Sequence, residues 1–229
     1  MKTILITGAS GNLGVASVKK FLESGCRVIA VGSDSGHLSF ARENPLFNLH
    51  NTDLSDESLT DAFIQELIEK YKRIDAAVLL VGGFAAGDIS ATSGADLDKM
   101  ISLNFKTAYF VTRPLLEHMV NNGYGRIIFT GARPALKAEQ GKDLLAYSLS
   151  KSLLFKLADF INETMKGKNI MASVVVPSTI DTPANRSAMP GADPSNWVRP
   201  EQVAAAMEFI TSEQGSALRE TVLKVYHNA

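Results

Sequence analysis

Short apolar runs alternate along the chain with longer segments in which apolar residues recur at helical spacing. The runs are rich in Val and Ile and almost continuously apolar, which is typical of strands that are covered on both faces. The sequence therefore predicts a series of buried strands. These are Ile4–Ile6, Val28–Val31, Leu46–Leu49, Ala76–Val81, Arg126–Thr130, Ile170–Val176 and Thr221–Tyr226.

Five longer segments carry the period of amphipathic helices. Gly25 is a stop signal for the first of these helices. An imperfect capping box at Ser55, with Ser58 in place of the usual glutamate, starts the second helix. We expect the third to be kinked near Pro114, because proline removes a backbone donor. The predicted helices are Asn12–Glu23, Ser55–Tyr71, Asp96–Val120, Leu144–Lys166 and Pro200–Thr211.

The regular alternation of strands and helices predicts an α/β fold with a doubly wound parallel sheet of about seven strands. Such a sheet uses nearly all of residues 1–229, so we expect a single domain and no separate substrate domain. The substrate pocket is then expected to come from three loops, residues 82–92, 131–143 and 178–198. The last loop holds Trp197, which either closes over a substrate or packs against the protein.

Composition narrows the class of protein. The chain has 229 residues, of which 45% are hydrophobic, and a formal net charge of −1. A near-neutral charge predicts no basic surface for nucleic acid, and no apolar run approaches the length of a membrane span. We therefore expect neither nucleic acid nor a membrane as a partner. The single cysteine, Cys26, cannot form an internal disulfide and fits a reducing compartment, so we expect a cytoplasmic protein. Four scattered histidines predict no metal site.

A glycine-rich turn lies between the first predicted strand and the first predicted helix. It covers residues 7–14 and reads Thr-Gly-Ala-Ser-Gly-Asn-Leu-Gly. Glycines at this place let the backbone approach a pyrophosphate, while the helix N-terminus offers free N–H groups. The position favours a dinucleotide site over the alternative, an ordinary turn between a strand and a helix.

Tyr147 and Lys151 form a second candidate feature, in the fourth predicted helix. Residues four apart share one face of a helix, so the phenol and the ammonium can serve one pocket. A cation beside a phenol favours the phenolate, and we expect it to lower the tyrosine pKa toward neutral pH. The alternative is that the pair belongs to a solvated helix face.

The glycine turn followed by Tyr-x-x-x-Lys resembles the short-chain dehydrogenase/reductase family. The resemblance implies a Rossmann-type fold, an NAD(P)H-dependent reductase, and catalytic roles for Tyr147, Lys151 and Asn104. For Asn104 the alternative is a structural hydrogen bond within a helix. Cofactor contacts are implied for Gly8, Ser10, Asn12, Leu13, Gly14, Ser33, Asp53, Leu54, Gly82, Gly83, Tyr147, Lys151, Pro177, Ile180 and Thr182.

Two departures from the family's pattern bear on function. Gly32-Ser33 stands where NAD-binding relatives have an acidic residue, and Asp34 follows as either a ribose ligand or a turn residue, so the choice between NADH and NADPH stays open. Ala132 or a neighbour takes the place of the family's active-site serine. Losing such a donor costs on the order of 10²–10³ in rate for carbonyl chemistry. The protein is therefore either inactive or acts on a substrate that does not need this donor.

Three segments resemble one branch of the family, the dihydropteridine reductases. They are residues 81–87, 130–136 and 177–197, and that branch also has alanine near the serine position. This resemblance implies hydride transfer to a quinonoid dihydropterin or a similar conjugated ring, with Tyr147 as the proton donor. Two alternatives are a short-chain reductase of another carbonyl or quinone substrate, and a catalytically silent NAD(P)-binding redox sensor.

The family resemblance also implies a homodimer that pairs through the two long helices, residues 96–120 and 144–166. A small-molecule substrate is the only other partner expected. Burial against the chain's own sheet is the alternative for some of the apolar residues in these helices. The candidates for the contact are Leu153, Leu154, Phe155 and Leu157.

Overall fold

The computed structural model describes residues 1–33, 36–219 and 221–228, and its strands form one parallel sheet. The strand order is β3-β2-β1-β4-β5-β6-β7, so the predicted doubly wound sheet is confirmed. Each predicted strand is present, with ends that differ by at most two residues. The strands are β1 (Thr3–Thr7), β2 (Arg27–Val31), β3 (Phe47–His50), β4 (Ala76–Leu79), β5 (Gly125–Thr130), β6 (Ile170–Pro177) and β7 (Val222–Val225).

Helices follow most strands and cover both faces of the sheet. The first and last long helices have the bounds that the sequence predicts. Two short helices lie inside the loops expected to line the substrate pocket. The helices are α1 (Asn12–Glu23), α2 (Glu57–Tyr71), α3 (Gly94–Ile101), α4 (Thr107–Asn122), α5 (Ala138–Gly141), α6 (Leu145–Thr164), α7 (Pro183–Ala188) and α8 (Pro200–Thr211).

Helix α2 begins two residues later than predicted, because Asp56 and not Ser55 starts it. Asp56 has an extended backbone, and its carboxylate accepts a hydrogen bond from the Leu59 N–H at 2.9 Å, which is the geometry of an N-cap. Ser55 instead donates to the Asp53 carboxylate in the turn before the helix. The predicted capping box at Ser55 is therefore wrong.

The long helix predicted over 96–120 is interrupted, but not at Pro114. Helix α3 begins after a capping box between Ser93 and Asp96, and residues Ser102–Lys106 form a wider π-helical turn before α4. Pro114 lies buried within α4, which continues to Asn122. A π-turn inserts one residue into the helical pattern and is often found at functional sites. Here it carries Asn104.

Both faces of the sheet are buried, which explains the continuously apolar strands. In β1, Leu5 packs in one core cluster with residues of α2, α4 and α6, whereas Ile4 and Ile6 pack in a second with residues of α1 and α8. Successive residues of a strand point to opposite faces, so a strand between two helical layers needs an apolar residue at every position. Cys26 is buried in the second cluster and serves packing.

Two backbone pairs organise the loops that follow the carboxyl ends of β4, β5 and β6. One pair joins two loops to each other, and the other closes the base of the third. Gly87 pairs with Leu144, which joins the loop after β4 to the start of α6. Ile180 pairs with Val198, and this pair closes the base of the excursion between β6 and α8. The structure thus gathers three loops at the edge of the sheet where parallel α/β proteins bind their ligands.

Candidate active site

The glycine turn after β1 has the geometry of a close-packed phosphate turn. Gly8 has φ +64°, and a Cβ atom there would lie 2.9 Å from the backbone of Leu80 and Val81. A Cβ atom at Gly14 would lie 2.2 Å from the Gly8 carbonyl oxygen, so α1 rests directly on the turn. Helix α1 begins after Gly11, which has no side chain to cap it. A bare helix N-terminus fits the pyrophosphate of a dinucleotide.

The end of β2 presents small side chains to this turn. The hydroxyl oxygens of Ser10 and Ser33 are 3.3 Å apart, and a Cβ atom at Gly32 would lie 2.7 Å from Ser10 Oγ. His37 Nδ1 lies 3.0 Å from the Ser10 carbonyl oxygen, to which it must donate. No local pattern in the sequence signals this contact. Asp34, the other candidate for the ribose, lies outside the described residues.

Asp53 and Leu54, the predicted adenine contacts, follow β3. The Asp53 carboxylate accepts hydrogen bonds from the hydroxyl and N–H of Ser55 at 2.7 and 2.9 Å, and these bonds hold its pKa below the ordinary value. Leu54 is only 5% exposed and belongs to the core cluster that includes Phe63. Its side chain is thus committed to the core, which leaves Asp53 and the backbone to face a ligand.

Asn104 fixes the turn after β4. It is 1% exposed, and its Oδ1 accepts from the Gly83 N–H at 2.7 Å while its Nδ2 donates to the Gly83 carbonyl oxygen at 3.2 Å. A Cβ atom at Gly82 would lie 2.7 Å from Asn104 Oδ1 and 3.2 Å from Lys151 Nζ. Gly82 therefore leaves a narrow cradle between the asparagine and the lysine, in which any side chain would clash.

Ser150 links Asn104 to the helix that carries the tyrosine. Its hydroxyl accepts from Asn104 Nδ2 at 2.9 Å and donates to the Tyr147 carbonyl oxygen at 2.8 Å. The π-turn, the turn after β4 and the first part of α6 thus form one hydrogen-bonded unit. These bonds agree with the structural interpretation of Asn104, and they hold the elements of the site together; its catalytic role stays a prediction. Ser150 carries no signal in the sequence beyond lying next to Lys151.

Burial decides the protonation of the Tyr147–Lys151 pair. Lys151 Nζ donates to the Thr130 carbonyl oxygen at 2.9 Å, and loss of hydration lowers the lysine pKa to about 8. The half-buried phenol of Tyr147 is desolvated too, which raises its pKa to about 12. The expectation that Lys151 lowers the tyrosine pKa toward neutral pH is therefore wrong, and Tyr147 holds its proton at pH 7. Since Lys151 is buried and Tyr147 is half-buried, the solvated-face alternative is also wrong.

Phe84 forms an apolar wall beside the phenol. Its ring meets the Tyr147 ring edge to face, with centroids 5.2 Å apart. Phe84 is nevertheless 66% exposed, so a large apolar surface next to the tyrosine is left open to solvent. An open aromatic face beside a proton-holding group suits a flat ring as ligand.

Ala132 is buried directly after β5 and places no hydroxyl where the family has its serine. Two other hydroxyls come from the elements around it. Thr130 Oγ1 at the end of β5 and Ser148 Oγ next to Tyr147 are both buried, and neither has a hydrogen-bond partner among the described residues. The site therefore lacks the serine but contains two uncommitted hydroxyl groups.

The segment after β6 carries the positions predicted to face the nicotinamide. Pro177 ends β6 opposite Val225, and Asn185 Nδ2 donates to the Ile180 carbonyl oxygen at 2.7 Å. The Thr182 hydroxyl accepts from the Asn185 N–H and caps α7, so its own proton is still available to a ligand. Trp197 is 7% exposed, which agrees with its interpretation as a packing residue.

Within residues 1–33, 36–219 and 221–228, no three or more His, Cys, Asp or Glu side chains are grouped so that they could hold a metal ion. In these ranges no helix is both long and apolar enough to cross a membrane.

Comparison with known proteins agrees with this geometry. A family model described as short chain dehydrogenase matches residues 2–192. The chain is 28% identical over 220 residues to dehydrogenase/reductase SDR family protein 7-like of Drosophila melanogaster, which covers 90% of this chain and 65% of that protein. It is 24% identical over 237 residues to a 3-oxoacyl-[acyl-carrier-protein] reductase of Thermotoga maritima, covering 98% and 96%.

Solved structures share the fold over the whole chain. A short-chain oxidoreductase from Burkholderia thailandensis superimposes with a TM-score of 0.85 at 26% identity, covering 99% of this chain and 91% of that one. The protein ElxO, solved with NADP bound, superimposes with a TM-score of 0.85 at 20% identity, covering 98% and 96%. The second likeness concerns the fold alone.

A parallel sheet with a bare helix behind a glycine turn, and a tyrosine–lysine pair at its carboxyl edge, defines a nucleotide-dependent oxidoreductase. The family match extends over most of the sequence, and the chain belongs to the short-chain dehydrogenase family. It is thus an NAD(P)H-dependent reductase or dehydrogenase of this type.

Proposed function

We propose that this enzyme transfers hydride from NAD(P)H to a quinonoid dihydropterin or a similar conjugated ring, with Tyr147 as the proton donor. The observation that carries the proposal is the combination of a protonated Tyr147 with a buried Ala132 where a serine would stand. Reduction of a ketone builds a localised alkoxide that needs more than one donor. A conjugated, electron-poor ring spreads the charge, so a single proton donor suffices.

Tyr147 is suited to act as an acid. At neutral pH a phenol with a pKa of about 12 is fully protonated, so the group has a proton to give. The reduced nicotinamide supplies the hydride, and the phenol gives one proton to a ring nitrogen, so the ring gains two hydrogens in total. Phe84 offers its exposed face to the flat ring beside this phenol.

The cofactor would lie along the carboxyl edge of the sheet. We assign the pyrophosphate to the turn formed by Gly8, Ser10, Asn12, Leu13 and Gly14, and the adenosine to Ser33, Asp53 and the backbone of Leu54. The cradle at Gly82 and Gly83 would take the nicotinamide ribose, within reach of Lys151. Pro177, Ile180 and Thr182 would face the carboxamide. The Thr182 hydroxyl can still donate there while it caps α7.

A reductase of another carbonyl or quinone compound is the second candidate. One observation favours it: the buried hydroxyls of Thr130 and Ser148 lack partners among the described residues, so either could replace the missing serine as a donor. The similar Thermotoga maritima protein is named a 3-oxoacyl-[acyl-carrier-protein] reductase, so a 3-oxoacyl thioester is the natural competing substrate.

We further propose that the enzyme is a homodimer that pairs through α4 and α6 and acts in the cytoplasm, where a lone cysteine is kept reduced. Leu149, Leu153 and Phe160 form an exposed apolar stripe along α6 and support such a contact. Leu154 does not, because it is buried in the chain's own core.

The test is the initial rate of NADH or NADPH oxidation with freshly generated quinonoid dihydropterin, set against acetoacetyl thioester. We expect turnover well above the spontaneous rate with the pterin and little with the thioester. Tyr147→Phe should lower kcat by about 10²–10⁴-fold, the usual contribution of a positioned acid, with little change in nucleotide binding. Turnover at only the spontaneous rate with both nucleotides would reject the proposal and favour a silent redox sensor.

A further inference from the structure

The excursion between β6 and α8 forms a flap, defined here as residues 181–197. Its base is closed by backbone hydrogen bonds, from the Asp181 N–H to the Val198 carbonyl oxygen at 2.8 Å and from the Val198 N–H to that of Thr179 at 3.0 Å. The flap begins and ends at this pair, which lies between the end of β6 and the start of α8. These bonds therefore hold the two ends of the flap together at its base.

A cavity of about 550 Å³ lies where the flap meets the first turn of α8 and the end of the chain. Pockets that bind small molecules generally have this size. Its polar lining includes Asp181 and Arg186 from the flap, and Arg199, Gln202 and His227 from the body of the protein; Trp197 and Pro194 also line it. Tyr147, Lys151 and Asn104 are not part of the lining.

Three polar groups of this cavity without a partner among the described residues can each donate a hydrogen bond. The Asp181 carboxylate forms a two-point pair with the Arg186 guanidinium at 2.6 and 2.8 Å, which compensates its negative charge. Gln202 Oε1 is likewise occupied by the Arg199 N–H at 3.0 Å. In the part of the chain that the structure describes, the Arg199 guanidinium, the Gln202 amide nitrogen and the His227 ring have no hydrogen-bond or ion-pair partner.

We propose that this cavity binds a small aromatic carboxylate. A guanidinium presents a planar fork that matches a carboxylate in a two-point hydrogen bond, and the amide nitrogen and imidazole add further donors. Pro194 and the small exposed part of Trp197, which is 7% exposed, supply the apolar contact for the body of the ligand. The inference depends on the cavity and its charges, and not on the proposed reductase activity.

Trp197 is the only tryptophan of the chain, so its fluorescence reports directly on this cavity. The experiment titrates the full-length protein with benzoate at constant ionic strength, and repeats the titration by calorimetry. Benzamide is the neutral control ligand, and inorganic phosphate tests whether any oxyanion suffices. We expect saturable benzoate binding with a Kd of about 1 mM or tighter, and binding at least about tenfold weaker for benzamide and phosphate.

Arg199→Gln removes the central charge and leaves the backbone N–H that caps α8 in place. We expect it to weaken benzoate binding about tenfold or more, the usual effect of losing a charge-assisted pair. Lys19→Gln is the matched control, since Lys19 is an exposed cation on α1, and it should change the Kd by less than about twofold. His227→Asn, which removes a donor ring near the end of the chain, provides a second variant and should weaken binding severalfold.

Three results would overturn the proposal. One is the absence of saturation with benzoate by both methods. Another is equal binding of benzoate and benzamide, which would show that the charge of the ligand is not recognised. Equal binding of benzoate and phosphate would show that the aromatic surface is not recognised. The third is an equal effect of Arg199→Gln and Lys19→Gln on the Kd for benzoate, or an unchanged Kd for His227→Asn. Either result would show that binding depends on the overall charge of the protein and not on this cavity.

Discussion

Gly82→Ala tests whether the cradle between Asn104 and Lys151 is needed in its present shape. The added Cβ would lie 2.7 Å from Asn104 Oδ1, about 0.7 Å inside ordinary contact at 3.4 Å, and 3.2 Å from Lys151 Nζ. Oδ1 cannot retreat freely, because it accepts the 2.7 Å hydrogen bond from the Gly83 N–H. The methyl group must therefore displace the turn, the asparagine or the lysine.

A misplacement of 1 Å near the reacting groups can cost about a hundredfold in rate, so we expect kcat/KM to fall between about tenfold and a hundredfold. Overpacking should also lower the free energy of unfolding by about 1–3 kcal/mol. The assays are steady-state kinetics of NAD(P)H oxidation and urea denaturation.

Gly94→Ala is the control for this substitution. A Cβ atom there meets nothing within 4 Å, and the position begins α3, so we expect unchanged kinetics and stability equal to or up to about 1 kcal/mol above that of the unmodified protein. If Gly82→Ala matched Gly94→Ala in both assays, the cradle would not be a constraint and the role given to Asn104 would be refuted.

Asn104→Ala leaves the Gly83 N–H and the Ser150 hydroxyl without their partner, so we expect a loss of about 2–3 kcal/mol in urea denaturation; a loss below about 0.5 kcal/mol would contradict it. The lowered pKa of Lys151, about 8 against 10.5, means that the unfolded chain binds more protons between these pH values, so stability rises with pH there. Compared with Lys151→Met, the protein should gain about 2 kcal/mol from pH 8 to pH 10, and a constant difference would reject the shift. Asp56→Ala should cost about 1 kcal/mol, and Ser55→Ala clearly less, because only Asp56 caps α2; equal losses would restore the predicted start at Ser55.

The sheet and most helices can be predicted from the sequence because the spacing of apolar residues along the chain reflects which faces are buried. Helices α1 and α8 have the predicted bounds, since Gly25 and Pro200 are local signals that act through the backbone itself. The interruption at residues 102–106 could not be predicted in this way. A π-turn depends on what its residues contact across the fold, here the bonds between Asn104 and the turn at Gly83.

In the candidate site, too, some features can be predicted from the sequence and others cannot. Tyr147, Lys151 and the glycine turn are predictable because fixed spacings along a helix or a turn place them together. The tyrosine pKa is not predictable from that spacing, because it depends on how much water the surrounding loops exclude. Leu54 shows the reverse case, in which a position that matches a ligand contact turns its side chain into the core.

Ala132→Ser offers the most direct test of the claim that this site lacks a serine because its substrate does not need one. Ala132 is buried behind β5, and a hydroxyl there would add a donor for a localised alkoxide. With acetoacetyl thioester we expect the variant to raise kcat/KM at least about tenfold, toward the 10²–10³ typical of one such donor. With quinonoid dihydropterin the rate should change by less than about twofold. A rise as large with the pterin as with the thioester would contradict the account.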